Sequence, residues 1–240
     1  LLQDNGFRMP WLGRNLSIHP AIGMYVRAPH PMDSWNTIPQ GYGVDNFVDP
    51  RLRFEGFYIP PQLGAGLTAV DGPDLTRWMD AHSHVGQFGF MVKDPGVGKV
   101  RRGPKGGLLI RYDMAQETAD LLSRGAGALA ELLLQGGGEE VLACVGDVDT
   151  IHTIEEARAL GQRRFQPKDF LSMAFHPLGT CRMGTSAADG VVDGENRVFG
   201  TDNLYVIDGS SVPSSLGVNP QVTIMAMALR AAECLEARLA

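Results

Sequence analysis

Between Gln116 and Leu134 the apolar residues return at helical spacing. Leu122, Ala126, Leu129 and Leu133 share one face, and three glycines at 136–138 stop the run. A second helix is predicted over TIEEARALGQ, where Thr153 stands as N-cap and Glu156, three residues on, completes a capping box. A third closes the chain: Ile224, Ala228, Ala231 and Leu235 form one apolar stripe, with Arg230, Glu233 and Glu236 largely off it. Elsewhere the pattern is that of strands. GMYVRAP and RFEGFYIP set aromatic and β-branched residues ahead of prolines. VGQFGFMVKD and GGLLIRYDM flank a glycine-rich basic turn and are expected to pair as an antiparallel hairpin. NLYVID is expected as a short apolar strand ending in Asp208–Gly209. Residues 1–70 carry Pro10, Pro20, Pro29, Pro31, Pro39, Pro50, Pro60 and Pro61, which argues against long helices there.

Composition narrows the class. The 240 residues suffice for one large domain or two modest ones, and 44% hydrophobic content can fill a core. Thirty glycines and fifteen prolines make the chain loop-rich without a collagen-like or disordered signature. A net charge of −6 argues against a nucleic-acid surface. The basic run Lys99, Arg101, Arg102, Lys105 sits among glycines and a proline and reads as a solvated hairpin. No apolar run reaches the length of a transmembrane segment. Cys144, Cys181 and Cys234 are far apart and form no CxxC pair, so neither a disulfide framework nor a zinc ribbon is indicated. That usage leans towards a reducing, cytoplasmic setting. The opening LLQDNGFRMP has no initiator methionine and no leader pattern, and reads like sequence from the middle of a protein.

Candidate chemistry concentrates in FHPLGTCRMG, Phe175 to Gly184. Histidine, cysteine and arginine fall close together in a turn shaped by proline and glycine, open to reading as a metal site, a cysteine nucleophile or a general base. Metal is the poorer fit. His176 and Cys181 have no second ligand pair, and His82 and His84, which would share a face on a strand, lack third and fourth ligands. A nucleophilic Cys181 would need its base within hydrogen-bond reach. Two loose GxGxxA matches, GAGLTA at 64–69 and GAGALA at 125–130, fail as dinucleotide loops. The first follows no strand, and the second lies inside a helix, where close packing explains its glycines. In GVNPQVTIMAMAL, Pro220 suits the first helical position and Asn219 the N-cap, leaving the N–H groups of Gln221 and Val222 pointing out of the helix start towards an electron-rich oxygen.

Taken in order, HPLGTCRMG, then GVVDGENRVFGTDNLYVIDGSSVP, then GVNPQVTIMAMALRAAE resemble the C-terminal end of the glucose–methanol–choline (GMC) flavin oxidoreductases. Upstream, GRNLSIHP (13–20) resembles that family's crossover from flavin domain to substrate domain. The resemblance is nearest to the cholesterol oxidase and long-chain alcohol oxidase branches. It implies an α+β fold: an antiparallel-sheet substrate domain with flanking helices (23–170), beside the C-terminal part of a Rossmann-like FAD-binding domain (1–22 and 171–240). It implies FAD as cofactor and an alcohol as substrate, bulky or long-chain and apolar by preference. It makes His176 the catalytic base and Asn219 its partner. Asp208 and Gly209 fall where the family approaches the ribityl–diphosphate of FAD, and Asn219, Pro220 and Gln221 where it meets the isoalloxazine ring. The family's N-terminal GxGxxG is absent, so a further FAD-binding half is expected, in the same gene or as a separate chain. A polyol or sugar dehydrogenase of the same family and a non-catalytic partial chain or subunit are the alternatives.

Overall fold

The computed structural model describes residues 1–36, 38, 40–45, 49–68, 70–148 and 150–240. Its strands are β1 (Arg14–Leu16), β2 (Ala21–Arg27), β3 (Gly43–Asp45), β4 (Leu52–Gly56), β5 (Val85–Val92), β6 (Gly98–Arg102), β7 (Leu108–Arg111) and β8 (Glu140–Leu142). Its helices are α1 (Pro61–Gly64), α2 (Gly72–Asp80), α3 (Gln116–Gln135), α4 (Ile154–Gln162) and α5 (Gln221–Leu239). The chain divides into two units. One is built from Pro20–Val92 and Met114–Met173, the other from Leu1–His19, Lys93–Asp113 and Ala174–Ala240.

The first unit is a five-stranded antiparallel sheet in the order β3-β4-β5-β2-β8. Period-two alternation along β2 sends Ile22, Met24 and Val26 to one face and Tyr25 to the other. The apolar stripe of α3 covers the first face, where Leu122, Ala126 and Leu129 meet Ile22, Met24, Phe54 and Phe90. Each leucine buried there contributes about 2 kcal/mol. The glycines of GAGALA are packing devices, as their position inside a helix predicts. A Cβ on Gly125 would lie 2.5 Å from the Phe90 ring, and one on Gly127 2.5 Å from the Gly161 backbone of α4. Helix α4 starts at the expected capping box, Glu156 N donating to Thr153 Oγ1 and Thr153 N to Glu156 Oε2. On the opposite face, Tyr25, Val85, Leu142 and Cys144 enclose Trp78 of α2. Glu140 on β8 is buried but paired with Arg27 Nε at 2.5 Å and Arg77 Nη1 at 2.6 Å, which offsets its desolvation. His82 and His84 lie on a 3₁₀ turn and not on a strand. Their Nδ1 atoms lie 3.1 and 3.2 Å from the carbonyl oxygens of Met79 and Ala28. Gly64–Thr68 occupy the end of α1 and the 3₁₀ turn after it; Ala69 lies outside the described residues.

The second unit holds a three-stranded antiparallel sheet, β1-β6-β7. Here the expected hairpin is corrected. VGQFGFMVKD does not pair with GGLLIRYDM: the former supplies β5 of the first unit, and the latter pairs with β6, the basic segment assigned above to a turn. Burial explains the difference. Residues of β5 are covered on both faces, as a central strand requires, whereas Leu108, Leu109 and Ile110 of β7 are all exposed, as on an edge. Lys99, Arg101 and Arg102 are solvated on β6; the side chain of Lys105 lies outside the described residues. NLYVID forms no sheet strand among the described residues. Tyr205 makes a single bridge to Arg197, and Val206 N donates to Asn196 O. Helix α5 begins at Gln221, one residue later than expected. Pro220 stands just ahead of it, already at φ −85° and ψ −5°, with its carbonyl accepting from Ile224 N. The predicted stripe holds, with Ala231 fully buried and Ile224, Ala228 and Leu235 partly covered.

Candidate functional site

Three short segments of the second unit are held together, two by backbone pairing and the third by side-chain hydrogen bonds. Ser17 and Leu178 exchange both hydrogen bonds, Ser17 N to Leu178 O at 2.9 Å and Leu178 N to Ser17 O at 2.8 Å. In an antiparallel pair, stepping two residues outwards sets His19 opposite His176. Their ring centroids are 5.2 Å apart, edge to face. The HPLGT turn can lie here because Gly179 takes φ 80° and has no side chain; a Cβ would sit 2.3 Å from Asn15 O. Asn15, itself at φ 62°, reaches across with Nδ2 to Pro213 O at 2.8 Å and ties in the third segment, 213–219.

His19 is fully buried, and its Nε2 accepts from two backbone amides, Leu216 N at 3.0 Å and Gly217 N at 2.8 Å. Burial, then the neighbouring His176 and Lys93, push its pKa down to about 4. His176 is half-buried, and desolvation lowers its pKa too. Asp208 and Gly209 lie against the histidine turn, with Cys181 N donating to Ser210 O at 2.9 Å. Asp208 is exposed and its Oδ1 accepts from Ser210 N, while Asn196 braces the turn through Nδ2 to Ser211 Oγ at 3.0 Å. Gly209 is wedged in: a Cβ would lie 3.1 Å from Ile224 of α5 and 3.2 Å from Leu178. Asn219 and Gln221 are exposed, and Pro220 is buried between them. The Cys181 thiol is pushed up by burial, with Asp208 adding to the shift and a hydrogen bond with Ser210 opposing it, so it stays protonated near neutrality. Arg182 lies over the Trp11 ring, 4.7 Å from its centroid.

Thus His176, Asp208, Gly209, Asn219, Pro220 and Gln221 all belong to one unit, and hydrogen bonds or close packing join the histidine turn, the Asp208–Gly209 turn and α5. Sequence reasoning missed His19 and Ser215. One signal for the first was available: His176 stands in a His–Pro dipeptide, and that dipeptide occurs at 19–20 and at 30–31 as well. Among the described residues, no three side chains of histidine, cysteine, aspartate or glutamate converge as a metal cage. None of the described helices is long and apolar enough to cross a membrane.

The family model for GMC oxidoreductase matches residues 98–228, which contain most of this site. The chain belongs to the GMC oxidoreductase family. Its curated relatives include an uncharacterized GMC-type oxidoreductase of Mycobacterium tuberculosis, 33% identical over 225 residues, covering 93% of this chain and 36% of that protein. A long-chain-alcohol oxidase of Arabidopsis thaliana is 26% identical over 268 residues, covering 100% of this chain and 33% of the relative. A cholesterol oxidase of Acinetobacter baumannii is 51% identical over 63 residues, 26% of this chain and 11% of that protein. Among solved structures, formate oxidase from Aspergillus oryzae matches with a TM-score of 0.64 at 16% identity, over 96% of this chain and 48% of its own. Pyridoxine 4-oxidase from Mesorbium loti matches with a TM-score of 0.57 at 20% identity, over 95% and 44%. These two matches establish the α+β fold. The chain spans about a third of the length of the curated relatives it matches.

Proposed function

We propose that this GMC chain carries the proton-transfer half of an FAD-dependent alcohol oxidation, with His176 as base. The observation that carries the reading is the histidine itself: half-buried, with its pKa lowered by desolvation, on a turn fixed by the Ser17–Leu178 pair. A neutral imidazole near pH 7 can accept a proton, and desolvation, by lowering the pKa, keeps the ring in that neutral form. FAD, when bound, would supply the acceptor for the hydride leaving the carbinol carbon. His176 would take the hydroxyl proton, and the exposed amide of Asn219 would hold the same oxygen.

The residues present fit the ring end of FAD. Gly209 offers bare backbone that no larger residue could offer without displacing Ile224 or Leu178. The exposed carboxylate of Asp208 suits the hydroxyls of the ribityl chain, and its sign keeps it away from the phosphates. The amides of Gln221 and Val222 open α5 with the positive end of its dipole, a match for negative charge on the pyrimidine side of the ring. Phe175, next to His176 in the chain and 68% exposed, adds apolar surface and favours a bulky or long-chain alcohol over a polyol. The adenosine end would be held by an N-terminal half bearing the GxGxxG loop.

The test is anaerobic stopped-flow on the enzyme assembled with that half. Flavin bleaching by a long-chain primary alcohol or a sterol is the expected result. No bleaching by any alcohol, with FAD bound stoichiometrically, would replace this reading with that of a non-catalytic subunit.

A further inference from the structure

The reading above gives His176 a task and leaves His19, the most buried histidine of the site, without one. Two amides, Leu216 N and Gly217 N, donate to its Nε2. A ring nitrogen that accepts carries no hydrogen, so in the neutral ring the proton sits on Nδ1. Nδ1 is buried with no hydrogen-bond partner among the described residues, and so is Oγ of Ser215, one residue before the clamped pair. A side chain serving only as filler would gain nothing from this arrangement, since a leucine occupies similar volume without stranding a donor.

We propose that His19 is a positioning residue of this site, holding the 215–219 loop and the His176 ring in register through a neutral imidazole protonated on Nδ1. The proposal rests on the assignment of His176 as base. The clamp governs Asn219 because only Val218 separates it from Gly217. Gly217 lies at φ 80°, and a Cβ there would sit 3.0 Å from the Lys93 side chain, so the turn that leads from the clamp to Asn219 is one glycine suits. The edge contact with His19 limits rotation of the His176 ring, and the two histidines ride on the same backbone pair. Loop and base are thereby set by one side chain.

Two substitutions in the assembled enzyme separate this role from simple packing. Glutamine places a carbonyl oxygen near the position of Nε2; leucine offers no acceptor. His19→Leu should slow flavin reduction at saturating alcohol about 10–100-fold with FAD still bound, the order expected for a displacement of about 1 Å. His19→Gln should recover most of that rate. The pH limb belonging to His176 should stay in place in both. A His19→Leu enzyme at wild-type speed, or a His19→Gln enzyme as slow as His19→Leu, overturns the proposal. If His19→Leu does not fold, nitrogen-15 NMR of histidine in this chain decides. The Nδ1–H tautomer at pH 7 supports the clamp, and the Nε2–H tautomer overturns it. If alcohol fails to reduce the wild-type flavin, the function falls separately, and the proposal is then judged by the amide shifts of Leu216, Gly217 and Asn219. These should move in His19→Gln or His19→Leu, and unmoved shifts would sink it.

Discussion

His19 and His176 are both neutral near pH 7, but their burial differs, and so do their predicted phenotypes. Replacing the half-buried His176 with alanine should leave FAD bound and slow its reduction by alcohol roughly 10²–10⁴-fold, the range for loss of a general base. Stopped-flow reduction at near wild-type speed would remove it from the mechanism. Cys181→Ser should be nearly silent in the same assay, because a half-buried thiol whose pKa is pushed up is a packing group and not a nucleophile. A loss matching that of His176→Ala, in a folded protein, would restore the cysteine reading. For His19 an effect on stability is expected as well. Its pKa is about 4 when folded against 6.5 in the unfolded chain, so the unfolded chain takes up the proton first. The His19 contribution is therefore complete above pH 6.5 and is lost as pH falls towards 4, a swing of about 3 kcal/mol. Urea midpoints at pH 7 and pH 4.5 measure it, and His19→Gln should flatten the dependence. Equal slopes in variant and wild type would mean that His19 is not buried in the neutral form.

At the scale of elements, what could be read from the sequence divides by range. The α3 stripe, the α4 capping box and the α5 stripe are local patterns, and they appear where the periodicity puts them. Strand existence was legible in part: GMYVRAP and RFEGFYIP became β2 and β4, whereas NLYVID made no sheet strand among the described residues and the basic turn became β6. Strand partners were not. A period-two pattern says which face is buried but not which strand lies alongside, and so β5 was matched with the wrong neighbour. The same limit hid His19, which reaches His176 only through a bridge between residues 17 and 178. A contest between propensity and packing can be run on α3. Alanine at Gly127 would gain about 1 kcal/mol of helix propensity. Its methyl would meet the Gly161 backbone at 2.5 Å and Ala157 O at 2.8 Å, rigid atoms of α4. Overpacking of that kind costs about 1–3 kcal/mol, and packing should win. Gly127→Ala is expected to lower the urea midpoint; a midpoint at or above wild type would mean that the two helices separate freely.

For the molecule as a whole, the family and fold class were written in the C-terminal motifs, because those residues form the tight turns that present the site. Substrate choice was not, since pocket shape depends on side chains from many segments. The grip on FAD follows from what the second unit offers. The groups proposed for the ring end are the Asp208–Gly209 turn and the start of α5, and neither is a glycine-rich loop able to cradle a diphosphate. Two apolar stretches of the same unit face solvent. On the β7 edge Leu108, Leu109 and Ile110 are 76%, 57% and 60% exposed, and along one side of α5 Val222, Met225 and Leu229 are 73%, 55% and 64% exposed. An N-terminal half holding the adenosine end, as proposed, would have reason to cover them. This chain by itself should therefore retain little FAD and should bind hydrophobic dyes or self-associate. Purification with excess FAD, gel filtration and an absorbance scan test both expectations together. A colourless, dye-binding species that turns yellow and loses its dye signal when the flavin-binding half is added is the expected outcome. A stoichiometric yellow monomer, bleached by alcohol with no second chain present, would show that these 240 residues hold the cofactor unaided and that the division of labour proposed for this family member is wrong.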